Sequence, residues 1–233
     1  MKKNEKTGIY DLIFLGLPIL LWPIVFLVFK NSFVYAMAGA TAFLALLSLW
    51  KYRKLIKWKG TSPAKMAASA VIGALFLYLV FYGGFYLASS IGMLSYVKLV
   101  YAMIYAQGSK FGIFLLLAII GICEEIYWRG ALQGYMRKKF PRTKWAPWVI
   151  ATAYYSLVHL STLNPILVLA AFFVGITASL ISEKHGILAS AAVHIIWIEA
   201  IIIFLPVIII LYRHRLYFSV YGSVPFYLNP AYP

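Results

Sequence analysis

The chain reads as an all-α, polytopic transmembrane helix bundle of about seven spans, with an eighth, half-inserted segment as a variant. Three observations carry that expectation. Hydrophobic residues make up 64% of the 233 and charged residues 12%, against about 45–50% and about 25% in a soluble globular chain. Mean hydropathy is +0.87, and uncharged runs recur at the length that crosses a hydrocarbon core. The 21 Lys and Arg against 6 Asp and Glu, a formal +15, fall in short loops between those runs. That is the pattern of a topology signal and not of a nucleic-acid surface. The expected surroundings are a lipid bilayer, with no nucleic acid.

The elements follow in order. A charged start, Met1-Lys2-Lys3-Asn4-Glu5-Lys6, precedes an apolar stretch too long for a signal peptide and without a small-residue cleavage site, so the first span is read as retained. Residues 12–29 and 31–50 are uncharged runs of 18 and 20 residues, and Pro18 and Pro23 in the first are tolerated inside a membrane. The run Met66 to Val97 predicts one span, then a surface-lying or partly re-entrant stretch near 93–109. Another span begins at Phe111 and reaches about Met136. Trp145 to Ser182 is divided by Asn164-Pro165, a turn signal, into two helices. The last span runs from Ile187 to about Leu211, followed by a Tyr-, Pro- and Gly-rich tail. The divisions are 1–110 for the N-terminal helices and interfacial segment, 111–211 for a second helix bundle, and 212–233 for the tail.

With a cytoplasmic N-terminus, 15 of the 21 basic residues fall inside, in 1–6, 51–65, 137–144 and at Lys184. Lys30, Lys98, Lys110, Arg213 and Arg215 fall outside, and Arg129 lies within a span. The expected location is the cell membrane. The single cysteine, Cys123, rules out an intrachain disulfide. As a nucleophile it lacks a basic activator at helical spacing.

The acids are scarce, so those inside the bilayer are informative. Glu124 and Glu125 lie in GICEEIYWRG with Arg129, and Glu199 lies in HIIWIEAIII with His194; His159 sits in a third span. Each charge costs about +2.5–3.5 kcal/mol at a helix centre, so these groups must face one another or a wet cavity. Glu125 and Arg129, four apart, share a face and can pair; taken alone, that pair is equally a structural one. Glu124 projects about 100° away with no cation one turn on, and a carboxylate buried without a cation is a stronger base than one in water. Two imidazoles converging on it can help to activate water and stabilise an oxyanion.

The double glutamate with Arg129, an aromatic four residues before a histidine (Tyr155 and His159), and a later histidine (His194) resemble the CPBP family. That family comprises the CAAX prenyl proteases and the bacteriocin-processing, or Abi, proteins. The resemblance covers about residues 111–200. It implies an intramembrane glutamic endopeptidase in which Glu124 activates water, Glu125 and Arg129 shape the site, and His159 and His194 stabilise the oxyanion. It also implies a peptide or protein substrate in the membrane, prenylated in some members, and no metal cofactor. The sequence departs from the family twice. Tyr155 stands where Phe is usual, and Ile198 stands where the last motif has Asn. By analogy with a lost oxyanion donor, the second change costs about 10²–10³ in rate.

Three alternatives accompany this reading. A zinc site of Glu124, His159 and His194 is one, although H-E-x-x-H is absent. A non-catalytic relative serving as scaffold or subunit among other membrane proteins is the second. A proton-coupled transporter using Glu199 and the histidines is the third, without the repeated halves such carriers show. Glu199 is otherwise an auxiliary group of unassigned role.

Overall fold

Helices form every element of the computed structural model, which describes residues 8–209. Glu5, Arg213, Arg215, His214, the tail and the half-inserted eighth segment lie outside the described residues. α1 (Ile9–Pro23) continues through a π-helical turn, Ile24–Val28, and α2 is Phe33–Tyr52. Then come α3 (Pro63–Ser90), α4 (Leu94–Tyr105) and α5 (Lys110–Glu125). A π-helical turn, Ile126–Leu132, joins α5 to α6 (Gln133–Lys139). The bundle is completed by α7 (Ala146–Val158), α8 (Pro165–His185) and α9 (Ile187–Glu199), the last extended by a third π turn, Ala200–Phe204.

Among the described residues, six helical segments are long and apolar enough to cross a membrane: Ile9–Val28, Lys30–Leu55, Pro63–Ser90, Lys110–Lys139, Pro165–His185 and Ile187–Phe204. Together they make a multi-pass, all-α bundle. The remaining expected span is shorter. α7 has 13 residues and gains four more in a 3₁₀ turn, His159–Thr162, less than the roughly 20 of a full crossing. The stretch expected near 93–109 is α4, 12 residues long, bounded by Gly92 at φ 77° and Gly108 at φ 130°.

The Asn164-Pro165 turn forms for a definable reason. Leu163 adopts a left-handed conformation (φ 54°), and the Asn164 side chain accepts from the N–H groups of Ile166 (3.1 Å) and Leu167 (3.2 Å). Pro165, with no N–H to satisfy, starts α8. α7 therefore folds back along α8, its principal neighbour, while α9 packs against α3, α5 and α8. The rod from α5 to α6 runs through the core, where Tyr127, Trp128 and Leu132 are fully buried.

Many of the basic residues counted together in the sequence share one end of the bundle. There Lys51 bonds Asp11 at 2.9 Å, and Arg137 bonds Glu183 at 2.6 Å. The 57–60 segment docks against the α8–α9 junction through Ile187 N to Lys57 O (2.9 Å), Leu188 N to Trp58 O (3.2 Å) and Gly60 N to His185 O (2.9 Å). At the opposite end Gln107 donates to Asn31 O at 2.9 Å and Asn164 donates to Tyr96 O at 3.0 Å.

Candidate active site

The double glutamate ends α5, directly before the π turn that carries Arg129. Such wide turns are rare and occur often at functional sites. Close packing follows on both sides of the junction: Gly130 in the turn faces Ile56, and in α6 a Cβ on Gly134 would lie 2.6 Å from Leu55 O.

Glu125 and Arg129 form the expected pair. Arg129 Nη1 lies 2.9 Å from Glu125 Oε1, with both side chains 1% exposed or less. The Arg129 guanidinium also stacks on the Tyr155 ring, 4.6 Å from its centroid. His194 Nδ1 approaches the same Glu125 oxygen at 3.1 Å. A carboxylate engaged by Arg only accepts, so His194 carries its proton at Nδ1. That leaves Nε2 facing Glu124 Oε2 at 3.9 Å. Tyr155 donates its hydroxyl to the same Glu124 oxygen at 2.7 Å. The family's usual Phe has no such group, so the tyrosine adds a bond to the carboxylate.

His159 is fixed from both sides. Its Nδ1 is 2.7 Å from Tyr155 O, and its Nε2 is 3.2 Å from the indole nitrogen of Trp22. A carbonyl can only accept and an indole N–H can only donate. His159 is therefore the neutral Nδ1–H tautomer, with its Nε2 lone pair occupied by Trp22. As an oxyanion donor it needs that bond to open and Nε2 to gain a proton. The zinc alternative meets the same obstacle, because both His159 nitrogens are already engaged. Among the described residues no group of three His, Cys, Asp or Glu is placed to hold a metal ion.

With this geometry in view, comparison with known families finds that residues 106–198 match the family described as Type II CAAX prenyl endopeptidase Rce1-like. Over these residues, two fifths of the chain, the sequence is similar to that family. That family is one of protease-type enzymes. No curated protein and no solved structure matches the chain.

Four residues of the recurring motif face a cavity of about 250 Å³. Glu124, Tyr155, His159 and His194 contribute to its wall; most of the remainder is apolar, including Phe33, Leu117, Val174 and Ile202. The closest side of α4 supplies Val97, Val100 and Ile104. Glu125 and Arg129 lie behind this wall, where they orient the groups that reach it. Glu199 is not brought to the cavity. It is buried at the end of α9, and neither carboxylate oxygen has a hydrogen-bond partner among the described residues. Cys123 is half-buried and also outside the cavity wall. Ile198 does line the cavity, so the Asn position of the last CPBP motif is occupied there by an apolar side chain.

Sequence reasoning missed Trp22. Its signal was present: tryptophan favours the two membrane interfaces, yet this one lies inside the first apolar run, between Pro18 and Pro23. A mid-span indole must find a partner for its N–H.

Proposed function

We propose that the protein is an intramembrane endopeptidase that hydrolyses a peptide bond of a membrane-associated substrate with a glutamate-activated water. The observation that carries this reading is Glu124: a buried carboxylate on the wall of an apolar cavity, with Tyr155 at 2.7 Å and His194 Nε2 at 3.9 Å. The second distance is too long for a direct bond. It is short enough for one water to touch both atoms at about 2.8 Å each. Glu124 takes a proton from that water, and the hydroxide attacks the scissile carbonyl. His194 takes up a second proton at Nε2 from solvent, offers that N–H to the developing oxyanion and releases the proton when the oxyanion collapses; His159 can join it once Trp22 withdraws and its Nε2 is protonated in the same way. The proton held by Glu124 then passes to the leaving amine. No step calls for a metal. A prenyl group on the substrate is compatible with the apolar wall, and the Lys and Arg distribution supports a cytoplasmic N-terminus in a cell membrane.

The test is cleavage of membrane-anchored peptides by the purified protein, read by mass spectrometry. Glu124→Gln should lower the rate by about 10²–10⁴, the range expected for loss of a general base, and a chelator should leave it unchanged. Parental cleavage by Glu124→Gln would sink the mechanism.

A second reading is a non-catalytic relative that acts as a scaffold among other membrane subunits. Ile198 favours it, because the cavity lacks the amide of the last motif. Absence of turnover on every peptide, with co-purification of other subunits in fixed ratio, would select it.

A further inference from the structure

Trp22 is held apart from lipid by more than packing. It is fully buried, and its ring meets Trp128 edge-on at 5.6 Å and His159 at 5.9 Å. Phe26, one turn further along, closes on His159 at 6.0 Å. Pro18 and Pro23 bracket Trp22, and the wide π turn Ile24–Val28 follows directly. This broken helix delivers an indole N–H to the ring nitrogen of a residue 137 positions away. Nothing else among the described residues donates to that nitrogen.

We propose that Trp22 is a positioning residue of the catalytic centre, whose indole N–H fixes the tautomer and ring plane of His159. The tyrosine carbonyl holds the proton at Nδ1, and the indole removes the alternative. Without the indole N–H, the Nε2 lone pair faces an apolar cavity, and a buried unpaired acceptor is costly. The ring then gains by rotating, by exchanging its proton between nitrogens, or by admitting water. His159 thus enters the reaction in one defined state, with its Nε2 site closed until Trp22 is displaced. The catalytic role of His159 rests on the proposed peptidase reading; its tautomer does not.

The experiment uses the full chain in lipid nanodiscs with ¹⁵N-labelled histidine. The chain has four histidines, and His159→Gln assigns the resonance of interest by its disappearance. Protonated and bare ring nitrogens resonate far apart, so the tautomer is read directly. The parental protein should show Nδ1 protonated and Nε2 bare. Trp22→Phe should change that signature, and so should benzothienylalanine at position 22, which keeps the shape of the indole without its N–H. Both variants should alter the pH profile of kcat, because Nε2 of His159 is then open to a proton, with KM little changed. The proposal is overturned if the parental His159 carries its proton at Nε2. It is also overturned if benzothienylalanine leaves the signature parental, since packing alone would then suffice. Should no peptide be cleaved by any form, the tautomer signature still decides the role of Trp22, while the peptidase reading falls.

Discussion

Arg129 ties three parts of the site together. It pairs with Glu125, stacks on Tyr155 and reaches Val174 O at 3.5 Å. Removing one partner of a buried pair leaves an uncompensated charge, at a cost of about 3–5 kcal/mol. Arg129→Met should therefore lower thermal stability severely, and Glu125→Gln in the same chain should restore most of it. The double variant should remain far less active, because His194 Nδ1 loses its anionic acceptor. Paired thermal unfolding and cleavage assays separate the two effects. Ile198 is the complementary case. It already faces the cavity, so Ile198→Asn adds an amide where the CPBP motif carries one. It should raise the cleavage rate by up to about 10²-fold in an active parent, judged from a regained oxyanion donor. No change in kcat would show that the amide has no role here.

At the scale of elements, the junctions carry the most specific demands. Gly186, between α8 and α9, has φ 87°, and a Cβ there would lie 2.7 Å from Trp58 O and 2.8 Å from Lys59 Cα. Gly186→Ala should cost about 2 kcal/mol or more, through both backbone strain and the displaced 57–60 segment; thermal unfolding checks it. The Asn164-Pro165 turn and the break before α4 were legible in the sequence, because Asn, Pro and Gly act through local geometry. The π turn Ile126–Leu132 was not. Six of its seven residues are buried, so no change in apolar periodicity marks it. α7 looked like a full span for a similar reason. The uncharged run contains it, but the 3₁₀ turn at His159 ends the α-helix early.

Across the whole molecule, the site gathers Trp22, Glu124, Tyr155 and His194 from four helices. Those in the recurring motif could be found from their order. Trp22 could not be found from that order, since it lies outside residues 106–198 and 137 positions from His159; only its mid-run placement marked it. α4 closes one side of the cavity and is tied down by tyrosines. Tyr101 donates to Ile201 O at 2.8 Å and Tyr105 to Ile202 O at 2.5 Å, both in the last π turn. Tyr101→Phe with Tyr105→Phe should free α4 and speed deuterium uptake over residues 94–105 at least tenfold, about 1.4 kcal/mol of lost protection. Unchanged uptake would mean that packing alone holds it. The Glu125–Arg129 bridge also bears on how such a chain enters the bilayer at all. Glu124 meets Tyr155 and His194 only after α7 and α9 have been synthesised, so its helix must be admitted to lipid before those partners exist. Glu125 and Arg129 need no such wait, because they sit one turn apart on the same rod. Each of these charges would cost about +2.5–3.5 kcal/mol at mid-membrane, and their mutual neutralisation travels with the helix from the ribosome. The bridge that orders the finished site is thus also a passport for the nascent α5, issued before the rest of the bundle is made.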